Sequence, residues 1–416
     1  MPSRKKLGTS VLILVVISVL FMGAKSKQKS VVKSTGSLPE VPQFSVKGPY
    51  SIGIRDLSIG SEIPLEITVW YPAVNNDLDE EEITYPYEIK LGDPFGTVAL
   101  ASYDGLAMSD APIDHSTSPY PLVILSPGFS IGSSAYAWLA EHLASYGFVV
   151  ISPEHHEHLD PESELWRAAI TRPQDIQTVL AYVDEQAGST GAFAGWINKE
   201  FVAVIGHSYG GYTALAAAGA KIDTGGFEGH CKNAQEGNDP GAWLCDQLLP
   251  HRADMAGLSG LDSVPEGLWP AWADPRVDAI VSMAGDAFFF GQAGLAEIAV
   301  PVMAIGGTAD SDSPFRWGTH PTYEYVSSPR KVKIALHDAE HMIFTGPCEA
   351  IPWYLKFFSG EFCSDKDWDR DYAHILVNHF ITAFLLAELK QDVNATAVLV
   401  PNAVDSSGVT YEAQGY

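Results

Sequence analysis

The stretch Gly206-His207-Ser208-Tyr209-Gly210-Gly211 constrains this chain more than any other. It follows the apolar run Phe201 to Ile205 and precedes the small-residue run Tyr212 to Ala220. The order predicts a strand, a sharp turn and a helix, with Ser208 at the tip of the turn. A Cβ at either flanking glycine would crowd such a turn. The helix that follows would aim its N-terminus at the site and favour a developing negative charge there.

A seryl hydroxyl is a weak nucleophile until a base takes its proton. In folds built around this turn, the acid and then the base follow the serine along the chain. Asp310 stands just past the buried run Val302 to Ile305, where the acid belongs, with Asp312 as runner-up. His341 follows the strand-like run Val332 to Leu336 and is the candidate base, with His337 as its rival. Two backbone N–H groups should form an oxyanion hole. One is that of Tyr209; the other is that of Phe129, in Ser126-Pro127-Gly128-Phe129 after the run Leu122 to Leu125. This is the equipment of a serine ester hydrolase, and it calls for no cofactor and no metal.

The rest of the chain supports a matching fold. Pro121 to Leu125, Phe148 to Ile151 and Val277 to Met283 are further short apolar runs, as buried parallel strands require, and Leu65 to Tyr71 alternates like an outer strand. Tyr136, Leu139, Ala140 and Leu143 have helical spacing, as do Ile176, Val179, Leu180 and Val183 after Pro173, which suits a first turn. Asp369 to Leu389 reads as a long helix. The alternation predicts a mostly parallel central sheet with helices on both faces, and with the Ser208 turn this reads as an α/β-hydrolase fold with a cap-like insertion at about 221–274. The expected organisation is a signal peptide or N-terminal anchor at 1–24, a polar linker at 25–46, the hydrolase domain at 47–390 and an unassigned tail at 391–416.

Charge and cysteines narrow the setting. With 51 acidic against 25 basic residues, the chain would repel phosphate backbones, so nucleic acid is excluded as a partner. Arg4, Lys5 and Lys6 precede the apolar run Val11 to Met22, the pattern of an export signal or, uncleaved, of a membrane tether. Four cysteines in an exported chain suggest the local disulfides Cys231–Cys245 and Cys348–Cys363. Two histidine-rich stretches imitate metal sites. His337 to His341 matches H-x-x-E-H, but follows a strand where that pattern needs a helix. Glu154 to His158 reads as a solvated loop at the rim of the cleft.

Gly48-Pro49-Tyr50, Val69-Trp70-Tyr71-Pro72-Ala73, Tyr120 to Phe129, Leu143 to Val150 with Glu154-His155, and Arg172-Pro173-Gln174-Asp175 resemble segments of platelet-activating factor acetylhydrolases and predicted dienelactone hydrolases. That group commonly has His where Pro127 stands, and true dienelactone hydrolases use Cys where this chain has Ser208. The resemblance implies a small-molecule or lipid ester as substrate, with short-to-medium acyl groups. Phe288, Phe289 and Phe290, at the end of the strand Val277 to Met283, are expected to wall a short acyl slot with Phe129, Met342 and Phe344. A lipase, a polyester hydrolase and an amidase use the same triad. A non-catalytic scaffold would normally lack the nucleophile or the base.

Overall fold

The computed structural model describes residues 42–60, 63–74, 83–346, 365, 367–401 and 408–416. The N-terminal segment 1–24, nearly all of the linker, and Cys348 and Cys363 lie outside the described residues. Twelve strands are present among the described residues: β1 (Ser51–Ile59), β2 (Leu65–Ala73), β3 (Thr84–Gly92), β4 (Gly96–Asp104), β5 (Ala107–Ser109), β6 (Tyr120–Ser126), β7 (Val149–Pro153), β8 (Ile197–His207), β9 (Val277–Met283), β10 (Val302–Gly307), β11 (Lys331–Leu336) and β12 (Val409–Gln414). Ten form one sheet in the order β12-β11-β10-β9-β8-β6-β7-β2-β1-β5, and β3 and β4 form a separate hairpin. The strands from β7 through β11 run parallel; β2 joins β7, and β12 joins β11, antiparallel.

The continuous apolar runs are explained by burial on both faces. In β8, Val202 and Val204 face one core while Ala203 and Ile205 face the other; in β6, Leu122 and Ile124 oppose Val123 and Leu125 in the same way. The first core is closed by α2 (Pro161–Gln186) and α3 (Tyr209–Ala217), and the second by α1 (Ala137–Ser145) and α9 (Arg370–Lys390). α9 is long and apolar enough to cross a membrane, but 78% of its apolar window is buried inside the protein, as a core helix requires. Its entry is set by Asp369, whose side chain accepts from Tyr372 N at 3.1 Å.

Two expectations are corrected, and part of the unassigned tail finds a place. Leu65 to Tyr71 is not an outer strand, because β1 and β5 lie beyond it in the sheet. Pro173 does not open a helix but sits inside α2. A proline there cannot donate to the carbonyl four residues back; the carbonyl of Ala169 instead accepts from the Tyr212 hydroxyl at 2.8 Å, so the helix continues. The tail is part of the fold: β12 covers the edge of β11 with Lys331↔Gln414 to Leu336↔Val409 in register. Its half-buried alternation carries too few apolar residues to stand out in the sequence.

Between β8 and β9 the insertion folds as α4 (Thr224–Glu236), α5 (Ala242–Leu248) and α6 (Arg252–Leu258). Cys231 of α4 is disulfide-bonded to Cys245 of α5, with Cα atoms 5.4 Å apart. Replacing both cysteines with alanine releases a loop closed over a sequence separation of 14. The expected loss is about 2–3 kcal/mol, on the chain-entropy scale for a loop of this length. Urea unfolding of the oxidised protein and the double variant measures it, and equal midpoints would refute it.

Candidate active site

Ser208 has φ 57° and ψ −123°, a conformation that L-residues rarely adopt. It is held there from both sides. Its N–H donates to the Met283 carbonyl at the end of β9 at 2.8 Å, and its own carbonyl accepts from Gly211 N at 2.8 Å at the start of α3. Both flanking glycines are sterically required. A Cβ on Gly206 would lie 2.3 Å from the Gly210 carbonyl oxygen, and a Cβ on Gly210 would lie 2.0 Å from that of Ser126. The turn is therefore built by pressing the start of α3 against the end of β6.

The loops after β10 and β11 bring Asp310 and His341 together. His341 Nδ1 lies 2.7 Å from Asp310 Oδ2, and Asp310 Oδ1 accepts from the N–H groups of Asp312 and Ser313 at 2.9 and 2.8 Å. Ser208 and His341 line one cleft of about 160 Å³, with Phe129 and Tyr209. Among the described residues, neither the Phe129 nor the Tyr209 N–H has an acceptor in the protein. Burial pulls the His341 pKa down, but Asp310, Asp312 and Asp286 outweigh it, and the imidazole is pushed up to about 9. His337, the rival base, bonds Thr410 Oγ1 of β12 at 2.6 Å instead.

Asp286 and His207 were missed by the sequence reading. Asp286 lines the cleft and accepts from the Ser313 hydroxyl at 2.8 Å. Burial pushes its pKa up to about 7, aided by Asp310 and Asp312 and opposed by Ser313 and His341. Its signal was its place, an acid three residues past a buried strand. His207 is fully buried, and burial, with the nearby His341, keeps it neutral. Its Nε2 faces the His341 carbonyl at 3.0 Å and so carries the proton; its Nδ1 then accepts from the Tyr136 hydroxyl at 2.8 Å. That hydroxyl in turn accepts from Gly128 N at 3.0 Å. One polar chain thus joins the Gly128 loop to the His341 loop. Nothing in the sequence marked it.

The expected acyl wall is corrected. Met342 and Phe129 do line the cleft. Phe288, Phe289 and Phe290 are buried under α4: Phe289 packs on Phe227 and Tyr212, Phe290 stacks on Tyr212, and Phe288 meets Trp317. Phe344 is buried against His207. The chain turns sharply after β9, at Ala284 with φ 46°, and carries the three rings away from the opening. The remaining apolar wall comes from Ile89 of the hairpin, Ile131, Leu165 and Leu244, with Leu159 and Trp243 at the mouth, 44% and 40% exposed. Glu154 to His158 is not a solvated loop either, since His155 and Glu157 are buried. No group of three metal-ligating side chains exists among the described residues.

Residues 98–224 match the PET hydrolase-like family. Over 105 residues the chain is 35% identical to Cutinase 2 of Thermobifida cellulosilytica, covering 25% of this chain and 36% of that protein. It is equally identical over 105 residues to Cutinase cut1 of Thermobifida fusca, with 25% and 30% covered. It is 30% identical over 170 residues to the chloroplastic Chlorophyllase-1 of Citrus unshiu, with 34% and 48% covered. The chain thus spans about a third to a half of the length of these curated relatives. The matched segment holds Phe129 and Ser208, and the mostly parallel sheet with helices on both faces is that of an α/β-hydrolase fold.

Proposed function

We propose that the protein is a serine carboxylic-ester hydrolase acting on extended, apolar esters of the polyester or cutin type. The convergence of Ser208, on its strained turn, with the His341–Asp310 pair in one apolar, open cleft carries this reading. Ser208 Oγ attacks the ester carbonyl while His341 takes its proton. The Nδ1 of His341 faces Asp310, which leaves Nε2 for that task, and Asp310 stabilises the imidazolium. The N–H groups of Phe129 and Tyr209 receive the oxyanion. His341 then protonates the departing alcohol, and water releases the acyl group by the same route in reverse.

The similarity to cutinases and to PET hydrolase-like sequences favours polyesters over the phospholipid substrate that the acetylhydrolase resemblance implied. The geometry points the same way. Of the residues expected to shorten the slot, Phe129 and Met342 line the cleft but Phe288 to Phe290 and Phe344 are core residues, whereas Leu159 and Trp243 leave the mouth apolar. The disulfide suits an oxidising compartment and so an exported enzyme.

A fluorophosphonate probe should label Ser208, and the protein should release acid from a polycaprolactone film faster than it removes acetate from a short-chain phospholipid. Ser208→Ala should lower kcat/KM on p-nitrophenyl butyrate by at least about a thousandfold, since triad serines contribute on that scale. Activity within tenfold of wild type would overturn the assignment. Trp243→Ala should slow film hydrolysis severalfold and leave p-nitrophenyl acetate within twofold; an equal loss on both would return Trp243 to a structural part.

The base must be neutral to accept a proton, and its pKa is raised, so activity should grow as pH rises through it. The acid limb of kcat/KM should have its midpoint above 6.5, the ordinary value for His, displaced towards 9. Asp286→Asn removes a carboxylate that supports the imidazolium and should move that midpoint down. A midpoint unmoved or raised in the variant would exclude Asp286 from the electrostatics of the base.

A further inference from the structure

An oxyanion hole works only if its donors are fixed before the reaction begins. The Tyr209 N–H is fixed by the helix it opens. The Phe129 N–H belongs to the loop after β6, and loops are by default the mobile part of a fold. The residues around this loop are of an unusual kind. Arg172, in the middle of α2, is fully buried. Its Nη1 donates to the Pro127 carbonyl at 2.7 Å and its Nη2 to the Gly128 carbonyl at 3.0 Å. Nη2 also bonds the buried carboxylate of Glu157, whose Oε1 accepts from Ser130 N at 3.3 Å. The guanidinium lies 5.7 Å from the centre of the Tyr209 ring.

A second set holds the start of the loop. Ser126 Oγ lies 2.9 Å from His155 Nε2, and His155 Nδ1 lies 2.7 Å from Asp175 Oδ2. The arrangement imitates a catalytic triad, but Ser126 and His155 are buried away from the cleft. Burial, and then Arg172, keeps His155 neutral, so its Nδ1–H donates to Asp175 and its Nε2 accepts from the Ser126 hydroxyl.

The Gly128 carbonyl and the Phe129 N–H are the two ends of one planar trans peptide, and point in opposite directions. Whatever holds that oxygen aims that N–H. On this ground, and resting on the ester-hydrolase reading above, we infer that Arg172 is a positioning residue of the reaction: by gripping the Pro127 and Gly128 carbonyls from behind, it aims the Phe129 N–H at the oxyanion. Its planar fork is needed for the task, because one ammonium cannot span two carbonyls and a carboxylate in fixed directions. Glu157 neutralises the buried cation and orients it.

The test compares wild type with Arg172→Lys, Arg172→Gln combined with Glu157→Gln so that no buried charge is orphaned, and Glu157→Gln alone. Loss of one oxyanion donor costs about a hundred- to a thousandfold in kcat. A misaimed donor should therefore cost about ten- to a hundredfold in the Arg172 variants, and severalfold in Glu157→Gln, with KM within twofold. The inhibition constant of phenylboronic acid, which becomes tetrahedral on Ser208, should rise in parallel with the fall in kcat, while the pH midpoint of the base stays in place. Folded Arg172 variants with kcat within twofold of wild type, or with KM rising while kcat holds, would overturn the inference. If the Arg172 variants do not fold, an unchanged kcat in Glu157→Gln overturns it. Failure of the esterase reading is separately visible, as wild-type activity that survives Ser208→Ala.

Discussion

The site depends on one close approach. The backbone of Gly210 packs against the Ser126 carbonyl so tightly that any Cβ there would lie 2.0 Å from the oxygen. This contact sets the start of α3 against the end of β6, and so brings the Ser208 turn beside the loop that carries Phe129. The strain at Ser208, of order 1–3 kcal/mol for such a conformation, is sustained because the turn is held to β9 and α3 at once. The parallel strands on either side then deliver their loops to the same edge, which is where His341 and Asp310 arrive.

Around that contact the polar groups form a frame rather than separate pairs. His207, inside the motif itself, ties the Gly128 N–H to the His341 carbonyl through Tyr136. Arg172 holds the opposite, carbonyl side of the same loop. The loops of Ser208, His341 and Phe129 are thus cross-linked by buried, directional hydrogen bonds. In a low-dielectric setting such bonds are costly to leave half-made and so specify one arrangement.

What the sequence disclosed follows from the range of each interaction. The Ser208 turn, the strands beside it and the loop positions of Asp310 and His341 were legible because each depends on local pattern: an apolar run, a glycine pair, a polar residue just past a strand. β4 and β12 were not, because their alternation is only half-buried, and β12 pairs with a strand distant in sequence; β3 does alternate, with Tyr85, Tyr87 and Ile89 buried, but Pro86 interrupts the run. The roles of Phe288 to Phe290 were misread because their place after β9 was clear, but the direction of the turn that follows was not. Glu154 to His158 was misread by composition: five charged or titratable side chains in a row suggest solvent, yet His155 and Glu157 find Asp175 and Arg172 on a helix a dozen or more residues on and are buried with them.

Pro173 carries a consequence for how such a chain can change. Its ring leaves the Ala169 carbonyl without a helical donor, and the Tyr212 hydroxyl takes the vacancy. A carbonyl has two lone pairs, so a residue with an N–H could replace Pro173 first, and Ala169 would simply gain a second donor. Losing the Tyr212 hydroxyl first would strand a buried carbonyl beside α3. The two positions are therefore passable in one order and obstructed in the other. Descendants of this sequence that have phenylalanine at 212 should already have lost the proline at 173.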